Sequence, residues 1–301
     1  MINVQNVLKR YDEEEKAAIL DALLEEAAPA STKPVELTFF AELYDEAEKI
    51  AEHGNEMAGL STGFPSIDKM TLGLGPGDII VIFGYTSMGK SQLSQNIALN
   101  VAKAGVPVLF IGLELTNKQN SARFIKMGGT DRQLPFLFPA DPDISYTGIQ
   151  AAIKKAKGYG AGLVVVDQLQ DLIHDKANEQ GEITQIMAEL KRAAIINEIP
   201  VIVISHVNRT GAVPGPPPLE VLKGSSSIEQ KADIAISVYQ NHEAQPGDRT
   251  HKRMLVALRK NRNRGMERDR AILVVERDMS LHEELDISSL TSMFPGAKLQ
   301  A

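Results

Sequence analysis

The segment Gly84-Tyr85-Thr86-Ser87-Met88-Gly89-Lys90-Ser91 spells a complete G-x-x-x-x-G-K-S string. In that pattern the glycines let the backbone curl around an anion, and the loop N–H groups and a helix N-terminus point at its oxygens. The lysine then pairs with the β- and γ-phosphates, and the serine hydroxyl reaches a magnesium ion. Gly84, Ser87, Met88, Gly89, Lys90 and Ser91 are therefore the expected nucleotide contacts, with Ser91 also a metal ligand. A chance glycine turn would lack the flanking pattern. Here an apolar run, residues 79–83, precedes the loop, and a segment of helical composition, residues 92–101, follows it.

Three further side chains stand at the carboxyl ends of apolar runs, where ligands of open parallel sheets bind. Asp167 ends Leu163-Val164-Val165-Val166-Asp167 and is expected to hold Mg²⁺ through a water. Glu114 ends Phe110-Ile111-Gly112-Leu113-Glu114, placed either to polarise an attacking water or merely to sit at a helix N-terminus. His206 ends Val201-Ile202-Val203-Ile204-Ser205-His206, where a donor can sense the γ-phosphate. No His, Asp and Glu spacing suggests a zinc site. The densest basic cluster is Arg259-Lys260-Asn261-Arg262-Asn263-Arg264-Gly265. It admits three readings: phosphate contacts to nucleic acid, an arginine finger entering a neighbouring subunit's site, or a solvated turn between strands.

These residues need a scaffold, and the pattern from residue 59 onward supplies one. Strands are expected at residues 79–83, 107–113, 163–166, 201–205, 234–239, 254–258 and 271–276, and helices at 92–104, 117–127, 149–157 and 182–197. The first four strands are continuous apolar runs, as expected of parallel strands covered on both faces. The fold class is α/β, a P-loop type with a mainly parallel sheet and an antiparallel extension at its end. Residues 211–218, rich in proline and glycine, read as an irregular loop. Upstream, residues 1–28 look helical, residues 29–34 look like a linker, and residues 37–53 form an acidic amphipathic helix with Leu37, Phe40, Leu43, Tyr44, Ala47 and Ile50 on one stripe. That stripe packs either on the chain's own core or on a neighbouring subunit.

Composition narrows the setting. The 301 residues are 43% hydrophobic and 24% charged, with no cysteine, no apolar run long enough to span a bilayer and no export signal, so a cytoplasmic protein without membrane contact is expected. The net charge of −7 argues against a nucleic-acid partner only until its distribution is seen. Residues 1–60 hold 14 acidic and 5 basic side chains, whereas residues 249–277 hold 10 Lys and Arg against 3 Asp and Glu.

Taken in order, these blocks resemble the RecA-like motor domain of DnaB-type hexameric replicative DNA helicases, over about residues 58–280. The marks are Leu60-Ser61-Thr62-Gly63-Phe64 with Ile67-Asp68, the phosphate loop, Leu113-Glu114-Leu115 and Val166-Asp167-Gln168-Leu169-Gln170. They continue through Ile204-Ser205-His206-Val207-Asn208-Arg209, Gly224-Ser225-Ser226-Ser227-Ile228-Glu229-Gln230-Lys231-Ala232-Asp233 and Lys260-Asn261-Arg262-Asn263.

The resemblance implies an ATP- and Mg²⁺-dependent homo-hexamer that moves 5′→3′ on single-stranded DNA, with a primase or helicase loader as a candidate further partner. It gives Glu114 the role of catalytic base. Lys260 and Arg262 become a pair that reaches the adjacent subunit's nucleotide, and Lys223, Gly224, Ser225 and Ser226 become the DNA-binding channel loop. Three departures stand out: His206 where bacterial members usually carry glutamine, Lys-Gly-Ser-Ser-Ser in the channel loop, and the extra Arg264 before Gly265. The histidine is similar to phage and mitochondrial relatives, so a phage- or plasmid-like member is expected. The implied domains are a helical extension (1–33) too short for the full primase-binding domain, a linker helix that docks on the next subunit (34–57), the motor domain (58–280) and a tail (281–301). The competing readings are a recombinase filament of the RecA or RadA kind and a ring ATPase that acts as an adaptor without unwinding.

Overall fold

Alternation along β1 (Ile79–Gly84) divides the interior in two. Ile80 and Ile82 face one apolar cluster, whereas Ile79, Val81 and Phe83 face the other. A strand has period two, so a strand apolar at every position must be covered on both sides. The computed structural model describes residues 38–52, 59–140, 144–173, 175–207, 215–241, 252–262 and 270–283. The chain divides into two compact units at Glu52 and His53.

In the first unit the described element is helix α1 (Phe40–Glu52). Phe40, Leu43 and Tyr44 of its apolar stripe are exposed, as is Phe39 just before it, and the rings of Phe40 and Tyr44 meet edge to face. The expected helix and linker over residues 1–34 lie outside the described residues.

The second unit is built on one nine-stranded sheet in the order β3-β2-β4-β5-β1-β6-β7-β8-β9. Its strands are β2 (Val108–Gly112), β3 (Phe136–Leu137), β4 (Leu163–Asp167), β5 (Val201–His206), β6 (Ile234–Asn241), β7 (Lys252–Asn261), β8 (Arg270–Val275) and β9 (Leu281–Glu283), together with β1. Strands β3 through β6 run parallel in this order, and β7, β8 and β9 extend the sheet antiparallel. The expected antiparallel ending is present.

On one face lie α2 (Pro65–Thr71), α3 (Lys90–Lys103) and α4 (Asn117–Lys126). The other face carries α5 (Tyr146–Gly158), α6 (Glu179–Asn197) and α7 (Ser226–Lys231). Thr116 starts α4 with a capping box to Gln119, and Ser145 caps α5 through the Gly148 N–H. The short elements α2, α7, β3 and β9 are absent from the sequence-based expectation because two- to seven-residue segments show too little periodicity to be recognised.

Connections leave β1 in both directions. The chain goes from β1 through α3 to β2 on one side, and from β5 past β1 to β6 on the other. That reversal opens a crevice at the carboxyl end of β1, the place where open sheets bind ligands.

Candidate active site

Two glycines shape the loop after β1. A Cβ on Gly84 would lie 2.7 Å from the Val238 carbonyl oxygen of the neighbouring β6, so only glycine permits that approach. Gly89, at the start of α3, has φ of 86°, a left-handed conformation that other residues adopt at a cost. No side chain caps α3. Its first N–H groups and the positive end of its dipole face the crevice.

Lys90 is buried and folds back over the loop. Its Nζ donates to the carbonyl oxygens of Gly84 and Tyr85, each at 3.1 Å, and lies 2.8 Å from His206 Nδ1. Burial pushes the ammonium down to about 8, against the opposing pull of Asp167 and Glu114. Ser91 Oγ donates to Asp167 Oδ1 at 2.9 Å. Register places Asp167 beside Gly112 and His206 beside Gly84, so β4 and β5 deliver both side chains to the level of the loop. Burial raises the Asp167 carboxyl to about 6, with the Ser91 hydrogen bond opposing.

Glu114 stands just past β2, half exposed, and its Oε1 accepts from Gln168 Nε2 at 2.8 Å. His206 Nε2 is 4.0 Å from the same oxygen. Burial first, then the Lys90 charge, lowers the His206 ring to about 4, so near neutrality it is uncharged and this approach is no ion pair. Gln170 ties the strand ends together. Its Oε1 accepts from the His206 N–H at 3.2 Å, and its Nε2 donates to Ser205 Oγ at 3.1 Å.

Lys90, Ser91, Glu114, Asp167 and His206 thus converge at one edge of the sheet. Lys260 and Arg262 do not join them. Arg262 Nη1 donates to Asp233 Oδ1 at 3.1 Å, Arg262 Nη2 to the Gln230 carbonyl at 2.6 Å, and Lys260 Nζ to the Glu229 carbonyl at 2.7 Å. The last carbonyls of α7 thereby gain cationic partners, which suits the negative end of a helix dipole. Asp233 also accepts from the Ile79 N–H at 2.8 Å, at the opposite end of β1 from Gly84. Five strand steps separate those ends by about 17 Å. The basic pair is therefore on the far edge from its own chain's phosphate loop.

Lys223, Gly224 and Ser225 end a 3-10 turn (Leu219–Ser225), and Ser226 begins α7. Asn208, Arg209, Asn263, Arg264 and Gly265 lie outside the described residues. Gln168 and Gln170 take up contacts here that the motif block around them does not indicate. Two glutamines after an apolar run carry no signal of what they will face.

Serine, carboxylate and phosphate oxygens are the donors that magnesium takes, and it needs few protein ligands when a nucleotide supplies the rest. Ser91 and Asp167, paired at 2.9 Å, fit that requirement.

Comparison with known proteins bears on the same residues. The chain is 28% identical over 274 residues to a "Probable replicative DNA helicase" of Trieres chinensis, covering 80% of this chain and 56% of that protein. It is 30% identical over 231 residues to "Replicative DNA helicase DnaB" of Geobacillus stearothermophilus, covering 66% and 51%. The chain spans about half the length of the curated relatives it matches. Among solved structures, an isolated ATPase domain superposes with a TM-score of 0.73 at 21% identity, covering 83% of this chain and 100% of that one. "The Structure Of A DnaB-Like Replicative Helicase And Its Interactions With Primase" gives 0.68 at 22% identity, covering 92% and 73%. These likenesses establish the fold as that of RecA-like DnaB ATPase domains. The family model described as "DnaB-like helicase C terminal domain" matches residues 59–131 and 128–276, nearly the whole second unit, and the chain belongs to that family.

Proposed function

We propose that this chain is the motor of a hexameric replicative DNA helicase, hydrolysing ATP with Mg²⁺ and moving 5′→3′ along single-stranded DNA. One observation carries the reading: the nucleotide residues occupy one edge of the sheet, and the basic pair Lys260 and Arg262 occupies the other. Such a chain completes an active site only when copies stand edge to edge, and a ring satisfies every edge.

In that arrangement Lys90 and the loop N–H groups hold the β- and γ-phosphates. Ser91 and Asp167 hold Mg²⁺, which when bound neutralises charge on the phosphate oxygens. Glu114 orients the attacking water, and His206 senses the γ-phosphate. Arg262 and Lys260 of the next copy stabilise charge on the transferring group. Residues 34–57 serve as a linker that lays the exposed Phe40, Leu43 and Tyr44 on that neighbour. Residues 58–280 form the motor, 1–33 an N-terminal extension and 281–301 a tail. The loop Lys223 to Ser226 contacts the DNA backbone. Sequence-tolerant binding with strong salt dependence is expected of it.

The test is complementation. Arg262→Ala and Glu114→Ala should each be inactive alone, and mixing them should restore part of the DNA-stimulated ATPase, since some interfaces then pair an intact Glu114 with an intact Arg262. No restoration after verified subunit exchange would refute a shared site. A forked substrate with a free 5′ tail reads the motor directly. ATPase stimulated by single strands with no fork opened under any tail geometry would favour an adaptor ATPase, and a filament in place of a six-copy mass would favour a recombinase.

A further inference from the structure

Glu114 is half exposed and lies in the turn beyond β2, so its own segment leaves the carboxylate many rotamers. A base that must present one oxygen to a water needs them narrowed, because misplacement by an ångström costs orders of magnitude in rate. The neighbouring strand supplies the constraint. Gln168 follows Asp167 directly, is 8% exposed, and its Nε2 donates to Glu114 Oε1 at 2.8 Å. The Asp171 N–H donates to the Gln168 carbonyl at 3.2 Å, tying the Gln168 backbone to the 3-10 turn that follows β4.

The His206 ring borders the same oxygen. Lys90 is an ammonium and donates to His206 Nδ1 at 2.8 Å, so the proton of the neutral ring resides on Nε2. That Nε2 is 4.0 Å from Glu114 Oε1. With Gln168 donating to Oε1, the other oxygen, Oε2, is the one left to accept a proton.

We infer that Gln168 is the positioning residue for Glu114, locking its Oε1 so that Oε2 takes the proton of the attacking water. This rests on the reading of Glu114 as the base. In the step, the water oxygen bonds to the γ-phosphorus and the bond from that phosphorus to the bridging oxygen breaks. ADP leaves with the electron pair, and one water proton moves to Glu114 Oε2.

The test uses the full chain with MgATP and oligothymidylate. Gln168→Met keeps length and volume but removes the donor. Gln168→Met should lower kcat about tenfold, the loss of one such hydrogen bond in the transition state, while KM and the Kd of fluorescent ADP stay within twofold. Gln168→Glu, which sets like charges together, should lose more than Gln168→Met. Unchanged kcat in Gln168→Met overturns the inference, as does an equal change in kcat and ADP affinity, the mark of a merely structural role. Glu114→Gln is measured alongside. If it still turns over at the native rate, the base reading itself falls; if it is dead while Gln168→Met is fully active, only the role of Gln168 falls.

Discussion

Arg262 donates to the buried carboxylate of Asp233 at 3.1 Å, 29 residues back along its own chain. Asp233 has two stronger claims on it. Lys191 Nζ lies 2.6 Å from Oδ2, and the Ile79 N–H donates to the same oxygen at 2.8 Å. Lys191 in turn donates to the Gly77 carbonyl at 2.9 Å, joining α6 to the entrance of β1. Asp233 is therefore the junction of four segments, whereas Arg262, half exposed, is its outermost partner.

That difference separates stability from activity. Asp233→Ala leaves Lys191 and a buried N–H without their carboxylate and should cost about 3–5 kcal/mol. Arg262→Ala removes a half-exposed pair and should cost no more than about 1 kcal/mol, yet abolish turnover. Urea unfolding measures the first quantity and steady-state ATPase the second. Equal destabilisation by the two variants would contradict this hierarchy.

Lys90→Ala should reduce ATP hydrolysis at least about a hundredfold, since one charge-stabilising donor at a reacting centre is worth roughly that much. Phosphate release by the assembled protein reads it. Retained turnover would exclude this loop as the hydrolytic site.

His206 makes acid sensitivity a test of the site's burial. Its ring is pushed down to about 4 from the ordinary 6.5, by burial first and then by Lys90. The unfolded chain binds a proton in that window and the folded chain does not. The contribution is therefore intact above pH 6.5 and is lost as pH falls toward about 4, with a slope of at most ~1.4 kcal/mol per pH unit. Asp167, raised to about 6, acts in the opposite sense between 6 and 3.8. Subtracting the His206→Gln curve from the wild-type curve isolates the histidine. Parallel curves across that acid window would show that His206 titrates normally.

Gln95 of α3 is 1% exposed, and neither amide atom has a hydrogen-bond partner among the described residues. A buried polar group in that state opposes folding by about 1–3 kcal/mol. Gln95→Leu, similar in size and apolar, should raise stability by about that amount with ATPase unchanged. A loss of stability in chemical denaturation would mean that the amide is satisfied in solution.

The phosphate loop, the parallel strands and the carboxylates ending them were legible because each is a local pattern. The string Gly84 to Ser91 sets its own backbone, and a four-to-six-residue apolar run can only be a buried strand or part of a buried helix. Asp167 and His206 followed because residues ending parallel strands share an edge. The roles of Gln168, Gln170 and Asp233 were not legible. Gln168 meets Glu114 across 54 residues and Asp233 meets Lys191 across 42, and such pairings depend on strand order and register.

The sequence by itself determined the family and which side chains gather at one edge, because motif, periodicity and strand ends are encoded over a few residues. Only the tertiary structure decided that Arg262 and Lys260 lie at the other edge. That follows from β7 running antiparallel beside β6, so that its end meets the beginning of β1 and not the phosphate loop. The register of that pairing is fixed by how the whole sheet packs, and no short stretch of residues specifies it.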